Sequence, residues 1–329
     1  MKSFFLAACA AFALAVPLAG NAQTYVFDSA YANSDAGSGS LATPQDVAVD
    51  ARGNLYVVDF HDTDIKEFNS SGAFIRSISG TSAATGQLAN PFGITVDASG
   101  NIYVADTFHY RIAEFDSSGA FVKSIGSRGK GEGQFNSISD VTLDSQGNLY
   151  ASDFGNKRIE EFDTSGKFVR SISSGLSSPQ SIALDASGNI YVEHNGAPID
   201  EFAKDGTFIR SIGVAAYLSA NGVALDHSGN LYYSDNYNGI VEFDANGTFV
   251  QKIGGFGSVD SYLHGVFGFT FDRNDNLYVT SSLDGSIVKF NNVSAVPEPG
   301  AFTLLLAGFA GGVVFLRRKK SNGSRNEMA

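Results

Sequence analysis

Three histidines stand just beyond short apolar runs: His61 in DFHDTD, His109 in DTFHYR and His194 in EHNGAP. Three imidazoles converging on one point at about 2.0–2.1 Å would make a zinc centre able to activate water. Their placement speaks against it. They lie two, three and one residues past the ends of their runs, and the chain has no H-x-x-x-H pair. They read as surface histidines. The other stretch with chemical promise is DASGNIYV, at 97–104 and again at 185–192, with Asp, Ser and Asn close enough to gather round a ligand. Looser copies begin at Asp50, Asp144, Asp226 and Asp272. A calcium loop needs several carboxylates at alternate positions, and these stretches have one or two. Asp at the first position suits a turn, where its side chain caps backbone N–H groups, and Gly at the fourth supplies positive φ. In the sixth copy Asp275 replaces that glycine, being one of the few other residues that tolerate the conformation. The stretch is scaffold.

Its spacing reveals the scaffold. The leading aspartates are 47, 47, 41, 41 and 46 residues apart, the period of propeller blades or a similar repeat array. Each unit holds four short runs rich in Ile, Val, Tyr and Phe, in the second unit at 93–96, 101–105, 111–115 and 120–125. All are too short for helices and read as strands. One tyrosine per unit (Tyr56, Tyr103, Tyr150, Tyr191, Tyr232, Tyr278) and one phenylalanine (Phe68, Phe115, Phe162, Phe202, Phe243, Phe290) read as packing between units. The sixth unit lacks its fourth strand, and an orphan run at 25–27 can supply it, closing the ring.

The two ends are of another kind. Residues 1–22 combine Lys2, the apolar FFLAACAAFALAVPLA and small residues before Gln23, which reads as a secretory signal peptide. LAAC at 6–9 has the form of a lipoprotein box but comes too early in the apolar run. Cys9 is the only cysteine, so the exported chain would have no thiol chemistry and no disulfide. Residues 291–300 form a linker with VPEP, residues 301–316 a short transmembrane segment and residues 317–329 a basic cytoplasmic tail. Residues 23–296 keep 16 of the 22 Lys and Arg but 32 of the 34 Asp and Glu, a net charge of −16. Such a surface repels nucleic-acid phosphate and anionic lipid.

The recurring D-x-x-G-N-[LI]-Y-V-x-D…R-I-x-x-F-D-x-x-G-x-F resembles the NHL-repeat β-propeller over residues 25–290. The resemblance implies an all-β fold, a six-bladed β-propeller of NHL type at 23–290 with its ring closed by the N-terminal strand. It also puts two variable loop sets on one face, one following each second strand and one entering each first strand. Exposed rings beside polar groups there suit a glycan, peptide or protein ligand: Phe60, Phe92, Phe108, Tyr110, Phe154, Tyr237 and Phe267, with His61, His109 and His194. Arg111 and Arg158 would tie their loops back to Asp106 and Asp153. Asn221-Gly222 is similar to the Asn-Gly step of gluconolactonase-type propellers, which implies a divalent cation on the axis, with Asp46, Asp140 and Glu193 completing an oxygen-rich Ca²⁺ site. The preferred expectation is no cofactor and a non-enzymatic, monomeric interaction module; a metal-dependent lactonase or lyase is the alternative.

Val296-Pro297-Glu298-Pro299, the apolar run and the cluster from Arg317-Arg318 onward resemble a PEP-CTERM sorting signal. That implies an inner-membrane intermediate, cleavage by an exosortase-type protease, and transfer to the cell envelope or extracellular matrix. The apolar run of 16 residues reaches about 24 Å, short of the roughly 30 Å hydrocarbon core, which suits a transient intermediate. The processed protein is expected to begin near Gln23 and end close to Pro299. Intact-mass measurement of protein from the native host checks this; a species still carrying residues 317–329 in the inner-membrane fraction contradicts it.

Overall fold

The computed structural model describes residues 23–31, 39–173, 175–194, 198–213, 220–235, 239–254 and 263–293. The expected signal peptide, transmembrane segment, basic tail and VPEP motif, together with Tyr237, lie outside the described residues. Among those described, no helix is long and apolar enough to cross a membrane.

The chain forms a six-bladed β-propeller. Each blade is a four-stranded antiparallel sheet, and in the first five the strands run outward from the axis in sequence order. Blade 2 is typical, with strands Pro91–Val96, Ile102–Asp106, Arg111–Phe115 and Phe121–Ile125. The repeated turn is as the residue types require: Asp97 accepts hydrogen bonds from the Ser99 and Asn101 amides, both at 2.8 Å, and Gly100 has φ +87°. Asp275 takes φ +57° in the glycine's place. The repeated phenylalanines and tyrosines are buried. They belong to six apolar clusters among the described residues, each built from two adjacent blades.

The sixth blade is Val266–Phe271, Leu277–Ser281, Ser286–Asn292 and, outermost, Tyr25–Tyr31. The orphan strand is longer than the expected three residues. It pairs from Tyr25 opposite Asn292 to Tyr31 opposite Ile287, with a bulge between Phe27 and Ser29. Alternation explains the length: Tyr25, Phe27, Ser29 and Tyr31 are half-buried while Val26, Asp28 and Ala30 face out, a period-two pattern that runs past the apolar core of the segment. Correspondingly, the last strand runs to Asn292, two residues beyond the expected end of the propeller.

A belt of polar contacts joins the blades near their rims. Arg76 pairs with Glu67 in its own blade and reaches the Ser117 and Ser118 carbonyls of the next. Lys123 with Glu114, Arg170 with Glu161 and Arg210 with Glu201 repeat the arrangement. Each half-exposed pair contributes up to about 1 kcal/mol. Where blade 5 meets blade 6 the cation is replaced by Gln251, which bonds Glu242 and the Gln23 carbonyl beside the closing strand.

Tyr31 also covers the outer turn of blade 1: a Cβ on Gly72, at φ +81°, would stand 1.8 Å from its ring. Gly229, at φ +80°, has nothing within 4 Å. Alanine at either position meets the left-handed penalty of about 1–2 kcal/mol, but only Gly72→Ala must displace the closing strand. Gly72→Ala is therefore expected to lower the urea midpoint at least twice as far as Gly229→Ala. Equal shifts would show that the seam does not depend on Tyr31.

Candidate functional site

The innermost strands surround an axial cavity of 550 Å³. Each of these strands is the edge of its sheet, so the backbone groups on its axial side have no ladder partner and need another one. Side chains from neighbouring blades provide it. Asp46 accepts the amides of Val47, at 2.8 Å, and of Ile94 in blade 2, at 3.0 Å. Asp140 accepts from Val141, at 2.7 Å, and from the Ile182 amide and Ser181 hydroxyl of blade 4, both at 2.9 Å. Ser181 in turn accepts from the Val223 amide of blade 5 at 3.2 Å. Thr107 donates to the Ile138 carbonyl across the seam between blades 2 and 3, and Thr280 to Gln45 across that between blades 6 and 1. Asn221 donates to the Val266 carbonyl at 3.4 Å.

Close packing enforces this. A Cβ at Gly93 would lie 2.2 Å from one Asp140 oxygen, and one at Gly268 would lie 1.9 Å from an Asp46 oxygen. The two aspartates thus occupy space that glycines on adjacent strands leave open. Burial pushes both carboxyls above the usual carboxylate range, and for Asp46 the Asp140 charge adds to it.

Asp46, Asp140, Asn221, Phe92, Phe154 and Phe267 all line the cavity, and Phe60 packs edge-on against Phe92 with centroids 5.6 Å apart. The histidines do not converge. His61 is largely exposed beside Asp62, His109 is held by Asp106 at 2.9 Å, and His194 is buried 3.2 Å from Asp200. Phe108 is 62% exposed, and Tyr110 lies under the Arg128 guanidinium. Arg111 and Arg158 bind Asp106 and Asp153 and also reach connector carbonyls at Ala83, Gln87, Gly131 and Gln134.

The oxygen set does not fit calcium as it stands. Asp46 and Asp140 each commit one carboxylate oxygen to the next amide of their own strand and the other to an amide of the neighbouring blade, and Glu193 is fully buried and does not line the cavity. Among the described residues, no group of three or more His, Cys, Asp or Glu is placed to hold a metal ion. Sequence reasoning missed Ser181 and the bridging role of the aspartates; the alternation of Asp46, Gly93, Asp140, Ser181, Gly222 and Gly268 at one strand position was the available signal.

Glu193 is fully buried, and neither carboxyl oxygen meets a hydrogen-bond partner of good geometry. In blades 3 and 5 the same place holds Ser152 and Ser234, whose hydroxyls donate to the next blade's Gln180 and Phe267 carbonyls at 2.8 and 3.0 Å. Burial pushes Glu193 up to about 8, with the Ser181 amide pulling the other way and Asp140 adding to the rise. The folded state therefore keeps a proton that the unfolded chain loses above the ordinary carboxyl range. The associated stability is complete at about pH 4 and is lost as pH rises through 8. Each tenfold gain in proton affinity on folding corresponds to about 1.4 kcal/mol, so Glu193→Gln should be more stable than the parent at pH 9 by on the order of a few kcal/mol. The two should be nearly equal at pH 4.5. Urea midpoints across that range check this, and parallel pH profiles would contradict it.

Residues 94–201 match a family described as a 6-bladed beta-propeller, and residues 295–320 match the PEP-CTERM protein-sorting motif. No curated protein matches the sequence. Among solved structures, the fold is similar to a gluconolactonase from Xanthomonas campestris, at 17% identity over 82% of this chain and 99% of that one, with a TM-score of 0.62. It is also similar to virginiamycin B lyase from Staphylococcus aureus, at 12% identity over 82% and 100%, with a TM-score of 0.60. A streptogramin B lyase aligns at 12% identity over 82% and 98%, with a TM-score of 0.59. At these identities the likeness establishes the fold alone. The chain is a six-bladed β-propeller that carries a PEP-CTERM protein-sorting motif.

Proposed function

We propose that the protein is an exported, non-enzymatic interaction module that binds a glycan, peptide or protein through the variable loop face of an NHL-type propeller. The reading rests on how the axial acids are used. Asp46 and Asp140 bridge neighbouring strands, so the polar groups best placed for chemistry are occupied in holding the ring together. The loops around the cavity mouth differ from blade to blade, and Phe154 from one of them joins Phe92 and Phe267 at the starts of innermost strands, so that variable residues stand on a rigid frame, the arrangement in which binding residues usually stand. In this reading the sorting motif directs the chain through the inner membrane, an exosortase-type protease cuts near Pro297-Glu298-Pro299, and the propeller works as a monomer in the envelope or matrix.

The rival reading, a metal-dependent lactonase or lyase, draws on the names of the similar structures and on Asn221 at the cavity wall. Glycan and peptide arrays, metal analysis and lactone hydrolysis separate the two. We expect Phe92→Ala with Phe267→Ala to weaken array binding at least tenfold, while Arg52→Ser on the opposite face leaves it unchanged. Stoichiometric metal together with a lactone turnover abolished by Asn221→Ala would overturn the proposal.

A further inference from the structure

The loop face distributes its charge unevenly. Its twelve segments are the loops after the second strands and the connectors into the first strands, and they contain only three Lys or Arg: Arg128, Lys130 and Lys157. All three are exposed and stand in the sector where blades 2 and 3 meet. Among the described residues, most of the other Lys and Arg pair with carboxylates; Lys66, for example, is buried between Asp62 and Asp64. Among the described residues, none of these three has a carboxylate partner. Glu132 is the one acid of the connector that carries Arg128 and Lys130. On a body with a net charge of −16, a cluster of three unpaired cations calls for a partner.

The cluster is built rather than loose. The Arg128 guanidinium lies over the Tyr110 ring at 4.9 Å, a cation–π contact that restrains it. Asn156 donates to the Gly129 carbonyl at 2.9 Å, Arg158 to the Lys130 and Gly131 carbonyls at 3.1 and 2.6 Å, and Asn136 to Gly155 at 3.3 Å. The connector is thereby fastened to the blade 3 loop. Tyr110 and Lys157 occupy the same place in their blades, both at φ +57°, so the two loops present their side chains from matching backbone turns. Phe108, in the same turn as Tyr110, offers a ring that is 62% exposed.

We infer that this sector binds an acidic polysaccharide. Arg128, Lys130 and Lys157 would take uronate carboxylates, Phe108 would stack on the C–H face of a sugar ring, and the exposed Asn136 amide would bond hydroxyls. The inference rests on reading the loop face as the binding surface and names the ligand class. Charge complementarity favours it locally, while the acidic body around the sector disfavours the extended surface of an anionic membrane, and the sugar-ring contact at Phe108 sets a uronate chain apart from a bare polyphosphate. A single exposed ring, Phe108, among cations suits a sugar better than a peptide helix, which needs an apolar groove.

The test uses polygalacturonate as probe, with dextran as its neutral counterpart, in calorimetric titrations of the processed propeller. Polygalacturonate should bind and dextran should not, and raising salt from 50 to 300 mM should weaken binding several-fold. The combined Arg128→Ser, Lys130→Ser and Lys157→Ser variant should lose at least tenfold in affinity with an unchanged urea midpoint, and Phe108→Ala should lose several-fold. Arg52→Ser with Arg273→Ser, on the opposite face, should match the parent. Absence of polygalacturonate binding, equal binding by the triple variant, or tighter binding of single-stranded DNA or anionic vesicles would overturn the inference. If Phe92→Ala with Phe267→Ala still abolished binding of some peptide or neutral glycan, only the ligand class would have failed. If no loop-face variant altered the binding of any ligand, the reading beneath it would fail too.

Discussion

Six sheet edges meet at the axis of this molecule with no strand to pair them, and the ring depends on how those edges are satisfied. An unpaired amide in a deep cavity costs about 1–3 kcal/mol, so the open sides of the innermost strands are a standing liability. Asp46, Asp140 and Ser181 meet it by reaching one blade onward and accepting the amides found there. Each bond both satisfies an edge and ties two blades together. The same act fixes the chemistry of the cavity, since carboxylates drawn toward backbone amides are not gathered round a common centre. The glycines at Gly93 and Gly268 follow from it, because each leaves the room that a neighbouring aspartate fills.

Much of this fold was legible because it is local. The turn Asp, the left-handed residue four positions into the turn and the tyrosine that follows lie within a few residues of one another, and each has a preference that holds in any context. Asp275 in the glycine's place was readable for that reason. The closing strand was legible by subtraction, since one unit lacked a strand and one run had no unit. Its length was not, because the pairing of Ser29 and Tyr31 depends on a bulge that sequence alone does not announce.

For the candidate residues, position was partly legible and bonding partners were not. Asp46, Asp140, Phe92, Asn221 and Phe267, at strand entrances, and Phe154, in a loop after a second strand, line one cavity, whereas the histidines and Glu193 do not. What Asp46 does is decided by Ile94, 48 residues away, and what Asp140 does by Ile182, 42 residues away. No local preference encodes such a bond. Glu193 is the sharpest case. The sequence offered it as a Ca²⁺ ligand, yet within the strand Ile190–His194 it occupies the slot that serines fill in blades 3 and 5, and its burial follows from the ring rather than from its neighbours in sequence.

The closing strand also bears on when the ring can form. Tyr25–Tyr31 is the first of the described strands, yet its partner is Ser286–Asn292, the last of them. Pairing them joins residues 267 apart at Tyr25 and Asn292, a contact of very high sequence separation that must wait for everything between. In a chain exported from its N-terminus, blades 1 to 5 can assemble progressively while blade 6 stays open-edged until Asn292 has crossed. The sorting motif begins at residue 295, three residues later. Under such N-terminus-first export, completion of the fold and arrival of the sorting signal at the membrane would coincide, and the signal would be presented on a propeller whose last seam is only then able to shut.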